Sequence, residues 1–258
     1  MTRRAPRVTA EHVGPAFYTE PRFLRRPWLR DCWALLHPPY TAWHLSYVVI
    51  GACLLSPVSV SRLLATLLAF FLAVGIGAHA LDELHGRPLR TELPDAVLVA
   101  AGAIGVGGAA VIGLIGVAVV GPWLLVFVVA GVVLALGYNL ELAGGRLHSD
   151  VVFALAWGAF PVLTAAFAQH GRLGLAAIAA AAFGYLTSAA QRHLSTPARE
   201  LRRRTQSVHG EVVATDGSTT VLDAATLRAP LERALSALSG AMVLLAIALA
   251  LARLTSWS

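Results

Sequence analysis

Residues 62–84 read RLLATLLAFFLAVGIGAHALDEL, an apolar run that ends in one imidazole and two carboxylates. A run of about 20 apolar residues is long enough to cross the hydrocarbon core of a membrane as a helix. His79 lies on the same helical face as Asp82 and Glu83, which follow it at positions i+3 and i+4. Such groups are costly at the end of a membrane helix unless they are paired, solvated or bound to a cation. The stretch therefore predicts a membrane span with a polar site at its end.

The whole chain has the composition of a polytopic membrane protein. Of its 258 residues, 57% are hydrophobic and 13% are charged, which is outside the usual range of soluble domains. His44 and Ser46 interrupt the first apolar run. We predict an all-α bundle of about seven transmembrane helices in a bacterial or archaeal cell membrane, at residues 41–58, 62–84, 95–117, 119–138, 150–168, 172–192 and 234–254.

The arginines predict the orientation of the bundle, because the chain contains no lysine. With a cytoplasmic N-terminus, seventeen arginines lie inside and three lie outside, namely Arg62, Arg172 and Arg253. All fourteen acidic residues then also lie inside. This asymmetry follows the positive-inside rule and predicts contact with anionic membrane lipids. Nucleic-acid binding is not expected, because no recognition motif accompanies the net charge of +6.

The polar segments define the organisation around the bundle. Residues 1–38 are predicted to be a cytoplasmic or interfacial segment, and residues 39–258 the bundle itself. A cytoplasmic cap loop, residues 193–233, is inserted before the last span. Within it, Asp216-Gly217 separates two β-branched runs and predicts a two-residue hairpin turn, followed by a helix from near Asp223. The cap loop either shields the site or is a plain surface insertion.

Several chemistries are disfavoured by the residues that are present. Cys32 and Cys53 are the only cysteines, which indicates neither a disulfide framework nor a thiolate metal site. The absence of lysine excludes Schiff-base chemistry and the P-loop. Gly105 and Gly107 belong to a glycine-rich third run, which we interpret as a surface for close helix packing.

Spans two, four and six bring polar side chains to one membrane face. Span four ends in Tyr138-Asn139 and is followed by acidic and imidazole side chains, and span six ends in arginine and histidine. Because even-numbered spans end on the same side, we expect one shared site. Its candidate metal ligands are His79, Asp82, Glu83, Glu141, His148, Asp150 and His193. The alternative is that these groups form solvated ion pairs.

The order of these features resembles the UbiA-type intramembrane prenyltransferase superfamily. The shared features are His37-Pro38-Pro39-Tyr40 before the first span, Arg87-Pro88-Leu89 after the second, Tyr138-Asn139 ending the fourth, and a polar loop after the sixth. The resemblance covers roughly residues 37–254 and concerns topology more than individual residues. This chain is shorter, with seven predicted spans where the family usually has nine.

The resemblance implies prenyl or alkyl transfer from an isoprenoid diphosphate, with Mg²⁺ bridging carboxylates and phosphates. Asp82 and Glu83 would then hold the metal, and His79 or His193 would accept a proton. The substrate would be bound by Arg87, Asn139, Arg192 and Arg199. Both aspartate-rich motifs of the family are degenerate here, because Ala78 and Gly86 replace ligands of the first and no aspartate occurs between Ser188 and Glu211.

Two other classes of function fit the same residues. Mixed imidazole and carboxylate ligands favour Fe, Mn or Zn over Mg²⁺, which indicates a non-haem metal oxidoreductase acting on a lipid tail. A non-catalytic lipid-binding membrane component would also fit, because the aspartate motifs are degenerate. The oligomeric state is left open by the sequence.

Overall fold

Helices make up most of the chain in the computed structural model, which describes Leu24 and residues 26–255. They are α1 (Pro27–Leu36), α2 (Pro38–Ala52), α3 (Val60–Leu84), α4 (Asp95–Val120), α5 (Leu124–Asn139), α6 (Asp150–His170), α7 (Leu175–Arg203) and α8 (Ala224–Leu254). Strands β1 (Gly210–Val213) and β2 (Thr219–Leu222) form an antiparallel pair between α7 and α8. The predicted helical bundle with a small β-hairpin insertion is confirmed. Much of the predicted N-terminal segment lies outside the described residues.

Four of the described helices, α3, α4, α6 and α8, are long and apolar enough to cross a membrane. This finding supports a membrane protein, but the four helices are fewer than the seven predicted spans. Helix α5 is apolar but has 16 residues, and α2 has 15 because it ends before Cys53. Helix α7 has 29 residues, and its second half carries arginines that lower its apolar character.

A sharp turn at His37 separates α1 from α2. Pro27 and Pro38 occupy the first turns of the two helices, where the missing N–H of proline removes no helical hydrogen bond. His37 ends α1 in the left-handed region, with φ of 44°. The turn brings its ring against His79 of α3, with 5.0 Å between the ring centroids.

Glycines allow neighbouring helices to approach backbone to backbone. A Cβ atom on Gly105 of α4 would lie 2.6 Å from the Cα of Gly77 in α3, and one on Gly158 of α6 would lie 2.2 Å from the carbonyl oxygen of Gly184 in α7. Contacts this short leave no room for a side chain, which confirms that glycines of the third apolar run serve helix packing. Gly107 is an exception, because it faces open space.

Two helices contain a π-helical section beside polar side chains. Phe71–Ala78 of α3 directly precedes His79, and Leu155–Ala159 of α6 contains Trp157. Such sections disturb the regular helical hydrogen bonds and are frequent at functional sites. His44 of α2 uses one of them, because its Nδ1 donates to the carbonyl oxygen of Trp157 at 2.9 Å.

The hairpin closes through a three-residue loop instead of the predicted two-residue turn. Val213 pairs with Thr219, and the N–H of Ala214 bonds to the carbonyl of Ser218 at 2.8 Å, which leaves residues 215–217 as the loop. The N–H of Gly217 bonds to the carbonyl of Ala214 at 2.9 Å. Gly217 has φ of 82°, so a type I turn is followed by a left-handed residue. A glycine is favoured at that position because it has no Cβ atom.

Helix α8 begins where the sequence predicts. Oδ1 of Asp223 accepts the N–H of Thr226 at 2.6 Å and caps the helix. Both strands of the preceding hairpin are exposed, apart from a half-buried Leu222 at the end of β2. The hairpin is therefore an exposed insertion, and its role in shielding a site stays a prediction.

Candidate functional site

One end of the bundle collects the ends of α3, α5 and α7 and the start of α6. Nε of Arg192 in α7 donates to Oδ1 of Asp150 in α6 at 2.7 Å. Nε2 of His85, after α3, lies 3.8 Å from Oε2 of Glu141, after α5. These helix ends therefore meet as expected. The buried and half-buried polar side chains that gather there are called the polar cluster: His37, Tyr40, His79, Asp82, Tyr138, Arg192, Arg199 and Arg203.

Glu83 is completely buried and holds the loop that follows α3. Its Oε2 accepts the N–H of Leu89 at 2.8 Å, and its Oε1 accepts both the N–H and the hydroxyl of Thr91, at 2.8 and 2.9 Å. A buried carboxylate is tolerated when its oxygens are satisfied in this way. These bonds give Glu83 a role in loop folding, and its predicted part in metal binding would require breaking them.

Arg87 is also engaged within this loop. Its guanidinium donates to the carbonyl oxygens of Leu93 and Thr91, at 2.7 and 3.2 Å, and forms an ion pair with Asp95 in the first turn of α4. Three contacts leave part of the guanidinium unused, so the predicted contact of Arg87 with diphosphate stays a prediction. Glu83, in the last turn of α3, and Arg87, in the loop, thus both hold this loop beside the cluster.

A third anchor of this loop comes from the N-terminal helix. Asp31 of α1 is buried, and its Oδ2 accepts the N–H of Glu92 at 3.0 Å. Sequence reasoning missed Asp31, because nothing in the segment around it indicates a partner about 60 residues away.

Asp82 is the carboxylate that belongs to the polar cluster. It lies within electrostatic range of His148, Arg199 and Arg192. Among the described residues it makes no hydrogen bond, in contrast to Glu83 beside it. The predicted role of Asp82 in metal binding and catalysis stays a prediction.

Two imidazoles line the cluster next to Asp82. His79 is half-buried, and its Nδ1 lies 3.3 Å from the carbonyl oxygen of Gly75 in the preceding turn. His37 contacts both His79 and Tyr40 edge to face, with 5.0 and 5.8 Å between ring centroids. Burial, followed by the neighbouring imidazole and two arginines, lowers the pKa of His37 well below its ordinary value. The His37 ring is therefore neutral at pH 7 and can accept a proton or a hydrogen bond.

Three arginines of α7 supply the positive charge of the cluster. Arg192 is neutralised by Asp150, whereas Arg199 makes one long hydrogen bond among the described residues, 3.4 Å to Oγ1 of Thr196. Nε of Arg203 is buried and donates no hydrogen bond within the described chain. Burial, and then the charge of Arg192, lowers the pKa of Arg199, but a guanidinium stays protonated in proteins. Positive charge therefore exceeds negative charge at this point.

Tyr138 forms an aromatic wall of the cluster. It is buried, stacks on His148 at 4.4 Å between ring centroids, and has Trp157 5.9 Å away in a T-shaped contact. Nδ1 of His148 donates to the Tyr138 carbonyl oxygen at 3.1 Å and lies 3.9 Å from the exposed Glu141. His148 and Glu141, both predicted ligands, therefore pair with each other at the rim.

Two further predicted residues lie apart from the cluster centre. Asn139 is buried, and its Nδ2 donates to the carbonyl of Ala135 in its own helix at 2.7 Å. His193 is exposed on α7 and interacts electrostatically with Asp150. The structure thus brings His79, Asp82, Arg192 and Arg199 together, and leaves Asn139 and His193 outside.

A buried polar layer beneath the cluster was not predicted as part of the site. Nε1 of Trp43 donates to the Tyr47 hydroxyl at 2.7 Å, and that hydroxyl lies 2.8 Å from Oγ1 of Thr187. Gln191 is 2% exposed, and its Oε1 has no hydrogen-bond partner among the described residues. A glutamine within an apolar run is a usable signal, since polar side chains at that depth need a partner or a ligand.

The donor set does not fit a metal centre built from protein side chains alone. Within the described ranges, no three His, Cys, Asp or Glu side chains lie close enough to hold one ion. The carboxylate of Glu83 is bonded to the loop, and the neighbours of Asp82 include Arg199 and Arg192, whose charges oppose a divalent cation. The predicted Mg²⁺, and the alternative Fe, Mn or Zn, stay predictions.

An apolar groove of about 460 Å³ runs between α3, α4, α5 and α6. It extends from Arg62, at the opposite end of the bundle, to Val106 and Ala135. Val106 and Ala135 belong to the same apolar core as Tyr138 and Trp157. The groove is therefore lined in part by residues of the apolar core that also contains Tyr138 and Trp157.

In comparisons with known proteins, no family model, no curated protein and no solved structure matches this chain.

Proposed function

We propose that the protein is a membrane enzyme that transfers a prenyl or alkyl group from a phosphorylated isoprenoid or similar lipid. The observation that carries this proposal is the polar cluster, in which Arg192, Arg199 and Arg203 surround one unbonded carboxylate, Asp82. Partly buried guanidinium groups are well suited to bind phosphate oxygens. Their position at the end of a bundle of apolar helices favours a substrate that has both a phosphate and a hydrocarbon chain.

The residues of the cluster support a simple transfer reaction. The bond between the first carbon of the chain and the diphosphate oxygen breaks, and the electron pair leaves with the diphosphate. A bond forms between that carbon and the acceptor, whose proton passes to Asp82 or to the imidazole of His79. Arg199 and Arg203 stabilise the charge of the leaving diphosphate. The apolar groove between α3, α4, α5 and α6 offers a place for the hydrocarbon chain.

The family resemblance also implies Mg²⁺, and the metal dependence of the reaction stays a prediction. The oxidoreductase alternative requires stoichiometric Fe, Mn or Zn, which metal analysis of the purified protein would detect. A non-catalytic lipid-binding component would bind phosphate through the same arginines, Arg192, Arg199 and Arg203.

The transfer reaction can be tested with the full chain purified into lipid nanodiscs. We expect labelled prenyl diphosphates to yield a labelled lipid-soluble product together with free diphosphate when a membrane extract supplies the acceptor. Prenyl diphosphates of several lengths should be compared, and empty nanodiscs are the control. Binding without product at every length would favour the lipid-binding component, and neither binding nor product would refute the proposal.

In the proposed enzyme the polar cluster lies on the cytoplasmic side. About seven helices cross the membrane, namely α3, α4, α6 and α8 together with α2, α5 and α7. We expect a membrane-impermeant maleimide to leave Glu92→Cys and Ser207→Cys unlabelled in intact cells and to label both after permeabilisation. The exposed Ser61→Cys, at the other end of α3, should be labelled in intact cells. A background lacking Cys32 and Cys53 removes native labelling. Labelling of Glu92→Cys or Ser207→Cys from outside would overturn this topology.

A further inference from the structure

We propose that the polar cluster binds a phosphate monoester or diphosphate group directly through arginine side chains, without a divalent metal ion. This inference rests on the proposed function for its location, but it concerns the binding of the anion and not the transfer reaction. It also departs from the metal-mediated binding that the family resemblance implies.

The first support is the imbalance of charge. Arg192 is paired with Asp150, whose side chain is exposed. Arg199 and Arg203 have no ion pair among the described residues, and the carboxylate within their electrostatic range is Asp82. Two partly buried guanidinium groups and one carboxylate leave an excess positive charge, which an anion would neutralise.

The second support is the state of the hydrogen-bond donors. A guanidinium carries five N–H donors. Arg199 uses one of them in a 3.4 Å contact with Thr196, and the buried Nε of Arg203 uses none within the described chain. Buried donors without partners are costly, so oxygens from a ligand would satisfy groups that the described side chains leave unbonded.

The third support is the contrast with the salt-bridged arginines nearby. On the same helix, Arg202 forms an ion pair with Glu232 of α8, which also pairs with Arg228. Arg202 and Arg228 therefore share the one carboxylate of Glu232, whereas Arg199 and Arg203 face the cluster without an ion pair among the described residues. The imidazole of His37 and the phenol of Tyr40 lie within electrostatic range of both arginines.

The inference predicts that inorganic pyrophosphate binds to the purified full chain in phosphatidylcholine nanodiscs when EDTA is present. Isothermal titration should give a dissociation constant that Mg²⁺ changes by less than about threefold. Arg199→Gln and Arg203→Gln should each weaken binding by about 10- to 100-fold, because each removes charge-assisted hydrogen bonds. Arg204→Gln is the matched control, since Arg204 is exposed directly after the end of α7 and should change binding by less than about twofold.

A second arm identifies the source of the phosphate group. Nanodiscs that contain phosphatidic acid present a lipid phosphomonoester at the membrane surface. If the ligand is a lipid headgroup, phosphatidic acid should weaken pyrophosphate binding by competition, and Arg199→Gln should remove that effect. If the ligand is a free phosphate compound, pyrophosphate should bind equally in both nanodiscs. Either outcome supports an arginine anion site.

Other outcomes overturn the inference. It fails if pyrophosphate binds only after Mg²⁺ is added, if it does not bind at all, or if Arg204→Gln weakens binding as much as Arg199→Gln. Transfer activity that requires Mg²⁺, without pyrophosphate binding in EDTA, would refute the inference and leave the proposed function intact. Pyrophosphate binding in EDTA without transfer activity would support the inference and refute the proposed function. If one of the two cluster variants fails to fold, the other variant and Arg204→Gln, together with wild-type binding in EDTA, still decide the matter.

Discussion

Replacing Asp82 with asparagine is expected to slow the transfer reaction by about 10²- to 10⁴-fold, the usual contribution of a positioned acid or base. The substitution keeps the shape of the side chain and leaves the fold unchanged, because Asp82 makes no hydrogen bond among the described residues. The rate should be measured at saturating prenyl diphosphate, and folding should be checked by the thermal unfolding midpoint.

The same variant should bind pyrophosphate more tightly than the wild type. Removing one negative charge beside Arg199 and Arg192 takes away a repulsion on the anion, which is worth roughly a threefold to tenfold gain in affinity. A loss of rate combined with a gain in affinity cannot come from general damage to the site. The matched control is Glu200→Gln, an exposed carboxylate on α7 that should change neither quantity. A fully active Asp82→Asn would leave Asp82 as a solvated ion-pair residue.

Replacing Glu83 with glutamine is expected to lower the free energy of unfolding by about 2–4 kcal/mol, because it disrupts a buried carboxylate with three charge-assisted hydrogen bonds. Glutamine retains one acceptor oxygen but points an NH₂ donor at N–H groups of the loop. The thermal unfolding midpoint in detergent should fall, and limited proteolysis should cut the segment between residues 85 and 94 faster than in the wild type.

The control for this prediction is Glu92→Gln in the same loop. Its side chain is exposed, and the contact with Asp31 uses only its backbone N–H. We therefore expect its unfolding midpoint to match that of the wild type. An unchanged midpoint for Glu83→Gln would mean that the loop is held by Arg87 and Asp31 alone, and would return Glu83 to the set of candidate ligands.

Asp82 and Glu83 have different surroundings in the structure, which the sequence did not predict. Both carboxylates end the same apolar run, and helical periodicity assigns both to the face of His79. Helical spacing gives the direction of a side chain to within a broad angle, but it does not show which segment lies opposite. Here Glu83 meets its own returning loop, and Asp82 meets α5 and α7. Arg87 was assigned to substrate for the same reason, and in the structure it also bonds to the loop.

The ends of the seven predicted spans show a second limit of prediction from sequence. Apolar runs were located correctly for α3, α4, α6 and α8, because a long run has one dominant solution in a membrane. The ends of the shorter runs depended on local geometry. Helix α2 stops at Ala52, and α5 starts at Leu124, after Gly121-Pro122. Helix α7 continues past its predicted end to Arg203, which carries Arg199 and Arg203 into the cluster.

The sequence alone predicted the helical class, the hairpin, the helix start at Asp223 and the meeting of polar helix ends. These features follow from hydrophobic periodicity, from turn residues and from the order of the spans, which are local or additive properties of the chain. The pairing of ionisable groups could not be predicted from the sequence. It depends on contacts such as that between Arg192 and Asp150, which lie 42 residues apart. A charged side chain pairs with the partner that packing brings within a few ångströms, because a desolvated charge without a partner is costly in free energy. Folding therefore placed Glu83 and Arg87 in contact with the loop, and left Asp82, Arg199 and Arg203 without an ion pair among the described residues.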